Sequence, residues 1–261
     1  MSTPDFYRNV RAYDIAFGDR DFHAECDFLN WCLLAHGDCH GEPSFLELAC
    51  GPARHAREFA RRGWHSIGLD MSADMLEYAA RGAEQEQVKL ETRCADMCNF
   101  TLPEPVCLVA NMMESLTHLL TNDQVVAHLR AVARSLRAGG VYVIEMAHPA
   151  GIWRDNLPNR WSASAEDMQV DIVFGLREDP YDGITQQWTV TTQLTIREPG
   201  QPERFVEERN NHRWYQPQEL AALIALSGAF SQVWWYGDML VPPPALDNSE
   251  SSNRMIVVLR R

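Results

Sequence analysis

The sequence predicts an α/β protein: a parallel sheet with helices on both faces, a helical N-terminal segment and an antiparallel β insertion. Three observations predict it. Between residues 44 and 146, short apolar runs alternate with segments of helical periodicity, which is the pattern of strands joined by crossover helices. From Thr185 to Arg197 the rhythm changes to period two, with Trp188, Val190, Leu194 and Ile196 on one face and Gln187, Thr189, Thr191, Gln193 and Thr195 on the other. Hydrophobic residues make up 46% of the 261, which supports a full core and excludes disorder as the overall state.

The elements follow in order. Residues 1–40 read as helical and aromatic, with Phe28, Trp31, Cys32 and Leu34 near helical spacing. Ser44–Ala49 is a buried strand, and Ala53–Arg62 a helix stopped by Gly63. Trp64–Leu69 is a second strand, after which Ser72 caps a helix carrying Met75, Leu76 and Ala79 on one face. Val88–Arg93 and Val106–Ala110 are the third and fourth strands. Asn122 and Asp123 open a helix closed by Gly139-Gly140, and Val141–Glu145 is the fifth strand. The period-two run turns at Glu198-Pro199-Gly200-Gln201 and returns as Arg204–Tyr215, a long hairpin. Pro217 starts a helix ended by Gly228, and strands Gln232–Tyr236 and Arg254–Leu259 follow. The Pro- and Ser-rich stretch between them, Val241–Ser252, reads as a mobile surface loop.

Charge and composition narrow the chemistry. The net charge is −13, and the 23 basic residues include one lysine, Lys89, in a polar run. That argues against a P-loop, against a Schiff-base enzyme and against a nucleic-acid partner. The seven cysteines form no Cys-x-x-Cys pair, so a disulfide scaffold and a metal site are not expected, and a reducing cytoplasm is the expected compartment. No stretch reaches the about 20 apolar residues of a spanning helix, so no membrane partner is expected.

The chemistry concentrates in Phe45-Leu46-Glu47-Leu48-Ala49-Cys50-Gly51-Pro52-Ala53-Arg54-His55, where a strand enters a turn of small residues and then a helix. Small residues let a ligand approach the backbone. Nineteen residues beyond Gly51, Asp70 ends the second strand, where a carboxylate can take both hydroxyls of a ribose. The Gly-x-Gly-x-x-Gly fingerprint of dinucleotide enzymes is absent, and Glu47 is an acid where a pyrophosphate would have to approach.

These segments, with Gly68-Leu69-Asp70-Met71-Ser72 and Ala95-Asp96-Met97, resemble the successive motifs of class I S-adenosylmethionine-dependent methyltransferases. The resemblance implies a seven-stranded Rossmann-like sheet and S-adenosylmethionine as cofactor, leaving as S-adenosylhomocysteine. It places Glu47 at the methionine amino group, directly or through water, and Ala49 and Gly51 along the methionine moiety. It places Asp70 on the ribose, Met71 on the adenine, and Asp96 and Met97 at the adenine amine and face. Ala110, Asn111 and Met112 flank the cofactor. Ala49 and Ala53 depart from the glycines common in the family.

Glu114-Ser115-Leu116-Thr117-His118-Leu119 resembles the Ser-x-x-His-Leu segment of N-methyltransferases acting on glycine and amino sugars, and Tyr13-Asp14 resembles that group's opening. The likeness implies that the N-terminal segment closes over the cofactor, with Tyr13 and His118 near the transferred methyl. His118 is the first candidate base, and Glu145 and His148 the second. Glu114 stands on the acceptor side, where glycine-type enzymes carry Asn. His212, Arg213 and Trp214 would roof the acceptor pocket, Arg213 pairing with a substrate carboxylate, and Trp153 and Trp161 would line it.

The expected organisation is one domain over 1–261: a helical lid at 1–40, a cofactor-binding core at 43–150, a β insertion at 155–215, and a terminal helix and strands at 216–261. The expected partner is a small-molecule methyl acceptor, in a monomer or homodimer, with nitrogen the favoured acceptor atom. O- or C-methylation, a lyase or cyclase using the same sulfonium, a non-catalytic binder, and an arsenic- or metal-handling methyltransferase using Cys50, Cys94, Cys98 and Cys107 stay open.

Overall fold

The computed structural model describes residues 9–150 and 157–261. Trp153 lies outside them. The chain divides into two compact units, one from Met1–Arg20 and Ile152–Trp214 and the other from Asp21–Gly151 and Tyr215–Arg261.

The larger unit is a seven-stranded sheet. Its strands are β1 (Ser44–Leu48), β2 (His65–Asp70), β3 (Leu90–Cys94), β4 (Val106–Asn111), β5 (Leu136–Ala147), β11 (Gln232–Tyr236) and β12 (Arg254–Arg260), in the order β11-β12-β5-β4-β1-β2-β3. Strands β1 to β5 run parallel, while β12 runs antiparallel to both β5 and β11. Chain order reverses between β1 and β4, which is the switch point where open α/β sheets bind ligands.

Strand alternation sends side chains into two layers. Leu46, Leu48, Ile67, Leu69, Val109, Tyr142 and Ile144 pack with helices α5 (Asn122–Ser135) and α6 (Pro217–Ser227). Phe45, Leu108, Ala110, Val141 and Val143 pack with α2 (Phe22–His36), α3 (Arg54–Arg61) and α4 (Ala73–Gln85). Glu47 and Glu145 lie two residues beyond Phe45 and Val143, so they share the second face.

The smaller unit is a five-stranded antiparallel sheet of β6 (Asn159–Ala165), β7 (Met168–Phe174), β8 (Tyr181–Asp182), β9 (Gln187–Arg197) and β10 (Arg204–Arg213). Helix α1 (Val10–Ala16) packs Ala12 and Ala16 against Met168, Val170, Ile172, Leu194 and Ile196. The Trp161 indole donates to the Ala16 carbonyl at 2.7 Å.

Three expectations need correction. The insertion is a sheet rather than a hairpin: β6 and β7 precede β9, and the alternation of Met168, Val170 and Ile172 with Gln169 and Asp171 was their signal. The helix expected to run to Gly139 ends at Ser135, and β5 begins at Leu136. Gly139 is needed for close approach, because a Cβ there would lie 2.4 Å from the Asp38 carbonyl oxygen. Finally, Cys39 and Cys107 form a disulfide across 68 residues of sequence, which removes Cys107 from any thiol set and removes the cysteine argument for a reducing compartment. Among the described residues, no helix is long and apolar enough to cross a membrane.

Candidate active site

The turn after β1 is held in an unusual backbone. Ala49 (φ 49°), Gly51 (φ 50°) and Ala53 (φ 55°) are all left-handed. For the two alanines this costs roughly 1–2 kcal/mol each, and such strain persists only where the surroundings enforce it. Gly51 N–H donates to Asp70 Oδ2 at 2.8 Å, and Ser72 N–H to Asp70 Oδ1 at 2.8 Å. Burial raises the Asp70 carboxyl above its ordinary value against these hydrogen bonds. Ser72 also caps α4, accepting from Met75 N–H, so one short segment both ends β2 and aims Asp70 at the turn.

Both oxygens of Glu47 are engaged within the protein. It is 4% exposed, its Oε2 accepts from Ala56 N–H at 2.8 Å, and its Oε1 accepts from His55 Nδ1 at 2.9 Å. Helix α3 has no capping side chain of its own, and Glu47 supplies the carboxylate that an N-cap residue would. His55 Nε2 donates in turn to Glu25 Oε2 on α2 at 2.7 Å. Burial alone would lower the His55 pKa, but the Glu47 charge and the hydrogen bonds to Glu25 and Glu47 raise it to about 9. The ring is therefore an imidazolium between two carboxylates.

On the adenine side of the expected site, Met71 is 67% exposed beside Asp70, Asp96 is exposed and accepts from Cys98 N–H at 2.8 Å, and Met97 is buried. His128 holds this segment in place: burial lowers its pKa to about 4, so its neutral ring donates from Nδ1 to the Met97 carbonyl at 2.9 Å and accepts from the Tyr142 hydroxyl at 2.6 Å. Ala110 and Met112 are buried at the end of β4. Asn111 between them is fully buried; its amide contacts the Leu48 carbonyl at 3.4 Å, and its Oδ1 has no hydrogen-bond partner.

Beyond β4, Met113 (φ 55°) and Glu114 (φ 60°) are consecutive left-handed residues leading into a 3₁₀ turn, Ser115–His118. Ser115 and Thr117 hydroxyls donate to the Met112 and Glu114 carbonyls at 2.8 and 2.7 Å. Burial lowers the His118 pKa, so the ring is neutral at neutral pH. The Tyr215 hydroxyl donates to the next carbonyl, Leu119.

The two second-choice bases, Glu145 and His148, each have partners within the protein. Glu145 is fully buried; its Oε2 accepts from Met113 N–H at 2.8 Å and its Oε1 pairs with Arg254. It anchors the left-handed turn, because its strand position points it into the sheet face beneath that turn. His148 donates from Nε2 to the Asp247 carbonyl at 2.8 Å and accepts at Nδ1 from Ala150 N–H, so both nitrogens are engaged with loops. That contact also ties down the Pro- and Ser-rich loop, whose Asp247 N–H further bonds the Ser252 hydroxyl.

Tyr13, His212, Arg213 and Trp214 belong to the smaller unit. The Tyr13 ring lies tilted against that of Phe17, their centroids 4.8 Å apart. The Arg213 side chain is buried and reaches Gln186 Oε1 at 3.4 Å, and Trp214 N–H donates to the Gln186 carbonyl. His212 lies edge-on to Phe174.

Sequence reasoning missed Glu25, Arg254 and Tyr215, and quoted His55 without giving it a task. Only folding brings them to the site: Glu25 is 30 residues from His55, and Arg254 is 109 from Glu145.

Residues 45–140 match the family model described as "Methyltransferase domain". A 102-residue stretch is 30% identical to dTDP-3-amino-3,4,6-trideoxy-alpha-D-glucopyranose N,N-dimethyltransferase of Streptomyces venezuelae, covering 39% of this chain and 41% of that relative. The chain thus spans under half the length of this curated relative. Two solved structures share the fold over nearly the whole chain. The sugar N-methyltransferase KedS8 from Streptoalloteichus has a TM-score of 0.74 and 20% identity, covering 95% of this chain and 92% of that one. The amino pentose methyltransferase CalS10 from Micromonospora echinaspora, solved with SAM bound, has a TM-score of 0.68 and 19% identity, covering 100% and 98%.

Proposed function

From the premise that residues 45–140 are a methyltransferase domain on the class I S-adenosylmethionine-dependent fold, we propose that the protein N-methylates a small molecule, and that its acceptor is the amino group of a nucleotide-linked amino sugar. The observation that carries the donor half is the strained turn Ala49–Ala53 at the end of β1, beside the β1–β4 switch point and bonded to Asp70 at the end of the neighbouring β2. The acceptor half rests on the likeness to an amino-sugar N,N-dimethyltransferase.

The residues fit such a donor. Asp70 accepts from the Gly51, Met71 and Ser72 backbone and keeps acceptor capacity for a ribose hydroxyl. Met71 offers an apolar surface for a planar base. The unpartnered Asn111 Oδ1 is a buried acceptor for a ligand's N–H or O–H. When bound, S-adenosylmethionine supplies a methyl already activated on a sulfonium, so in-line displacement asks the protein mainly for alignment and dryness.

The chain's own residues bear on alignment. The turn at Met113–Glu114, pinned by Glu145, fixes the start of the acceptor segment. An ammonium acceptor must lose a proton before its nitrogen can attack, and we propose His118, with Glu114 on the same segment, as the groups that would take it. Tyr13, His212, Arg213 and Trp214 belong to the smaller unit, and we propose them as acceptor-binding residues. We place the protein in the cytoplasm, where nucleotide-linked sugars are made.

Isothermal titration with S-adenosylhomocysteine tests the donor half. Binding should be measurable and should fall about a hundredfold in Asp70→Ala, the loss expected for two charge-assisted hydrogen bonds. No binding to the intact protein rejects the proposal. Mass spectrometry of thymidine-diphosphate amino sugars, mixed with enzyme and S-adenosylmethionine, tests the acceptor half; hydroxyl methylation would reject nitrogen.

A further inference from the structure

We propose that Glu25, acting through His55, is a positioning residue for the methyl donor: the buried chain Glu25–His55–Glu47 clasps both ends of the turn on which the donor's methionine end would lie. This rests on the methyltransferase reading above.

The geometry is specific. Glu47 stands two residues before the turn begins at Ala49, and His55 and Ala56 stand two and three residues after it ends at Ala53. The Glu47 carboxylate holds both His55 and Ala56, so it spans the turn from strand to helix. Three left-handed residues lie between these anchors, two of them alanine, and nothing in alanine itself favours that conformation. The clasp depends on the His55 ring staying in one place. Glu25 sets that place from α2, across 30 residues of sequence, while the Phe22 ring lies edge-on to the imidazole at 5.0 Å. The Cys26 thiol further contacts the His55 carbonyl. All three members of the chain are under 10% exposed. In the larger unit, Glu25 therefore acts on the donor turn without being part of it, because Asp70 and Gly51 meet on the turn's other side.

The arrangement also changes what Glu47 contributes. Its charge is balanced by the imidazolium, so it shapes the site rather than serving as a free anion for the donor's ammonium. Loss of Glu25 would leave His55 with one carboxylate, free to turn and release the strand–helix clasp.

The test is a titration of S-adenosylhomocysteine into the wild-type full chain and into Glu25→Ala, Glu25→Gln and His55→Asn, each well below its melting temperature. Glu25→Ala and His55→Asn should weaken binding about tenfold or more, while Glu25→Gln, which keeps the volume and an acceptor for His55 Nε2, should recover most of it. Under turnover, KM for the donor should rise while KM for the acceptor holds. Nitrogen NMR of labelled histidine should find one ring doubly protonated at pH 8 in the wild type and neutral in Glu25→Ala. Glu25→Ala and Glu25→Gln both binding within twofold of wild type would overturn the inference and leave the methyltransferase reading intact. Absence of binding to wild type would overturn both.

Discussion

At the scale of residues, the site is built from polar groups whose partners are fixed by strand parity. Glu47 and Glu145 lie near the ends of β1 and β5, on the same sheet face, and each steadies a left-handed turn. Removing Glu145 would orphan the Met113 N–H and release the partly exposed Arg254, so Glu145→Ala should destabilise the protein by about 1–3 kcal/mol in urea denaturation. Asn111 makes the opposite case. Its Oδ1 is buried without a partner, so Asn111→Leu should leave stability unchanged or raise it, while donor affinity falls about tenfold. A melting curve and a titration on the same sample decide it, and lost stability with unchanged affinity would make Asn111 a packing residue. These tasks were only partly legible. The positions of Glu47 and Asp70 followed from their places at strand ends. That Glu47 turns to His55 required knowing that α2 covers that face.

At the scale of elements, the seven-stranded unit followed from periodicity, because each strand there is a short apolar run bounded by small or polar residues. Strands β6 and β7 escaped notice because β6 has little apolar alternation: five of its seven residues are exposed, as an edge strand allows. The segment after β4 is the element whose shape matters most for chemistry. Its two left-handed residues and its 3₁₀ turn are held by side chains from β5 and from Tyr215. Tyr215→Phe deletes one buried hydrogen bond and should cost about 1 kcal/mol of stability; kcat should fall with little change in donor affinity, since the turn it steadies ends at His118. Equal losses in donor affinity and kcat would place that contact elsewhere in the reaction.

At the scale of the molecule, two buried histidines set opposite pH limits. His55 has its folded pKa raised to about 9 from 6.5, so its contribution is complete below about 6.5 and is lost as the pH rises through about 9. His128 has its folded pKa lowered to about 4, so it favours the folded state above 6.5 and costs stability as the pH falls toward 4. Melting temperature should therefore fall on both flanks, with His55→Asn flattening the alkaline flank and a neutral replacement of His128 the acid one. The Cys39–Cys107 disulfide closes a long loop, and reducing it should cost about 2–4 kcal/mol. Thiol labelling before reduction should reach Cys94 first, as it is the exposed one among the free cysteines Cys26, Cys32, Cys50, Cys94 and Cys98.

By itself the sequence determined the parallel sheet, the strand-end acids and the donor turn, because period and strand-to-turn spacing are local properties written into consecutive residues. Only the tertiary structure decided which partners inside the protein each acid meets. Glu47 is taken by His55 and Ala56, Glu145 by Met113 and Arg254, and Cys107 by Cys39. A side chain's task depends on the partner that packing brings to it, and those partners arrive from 8 to 109 residues away in the chain.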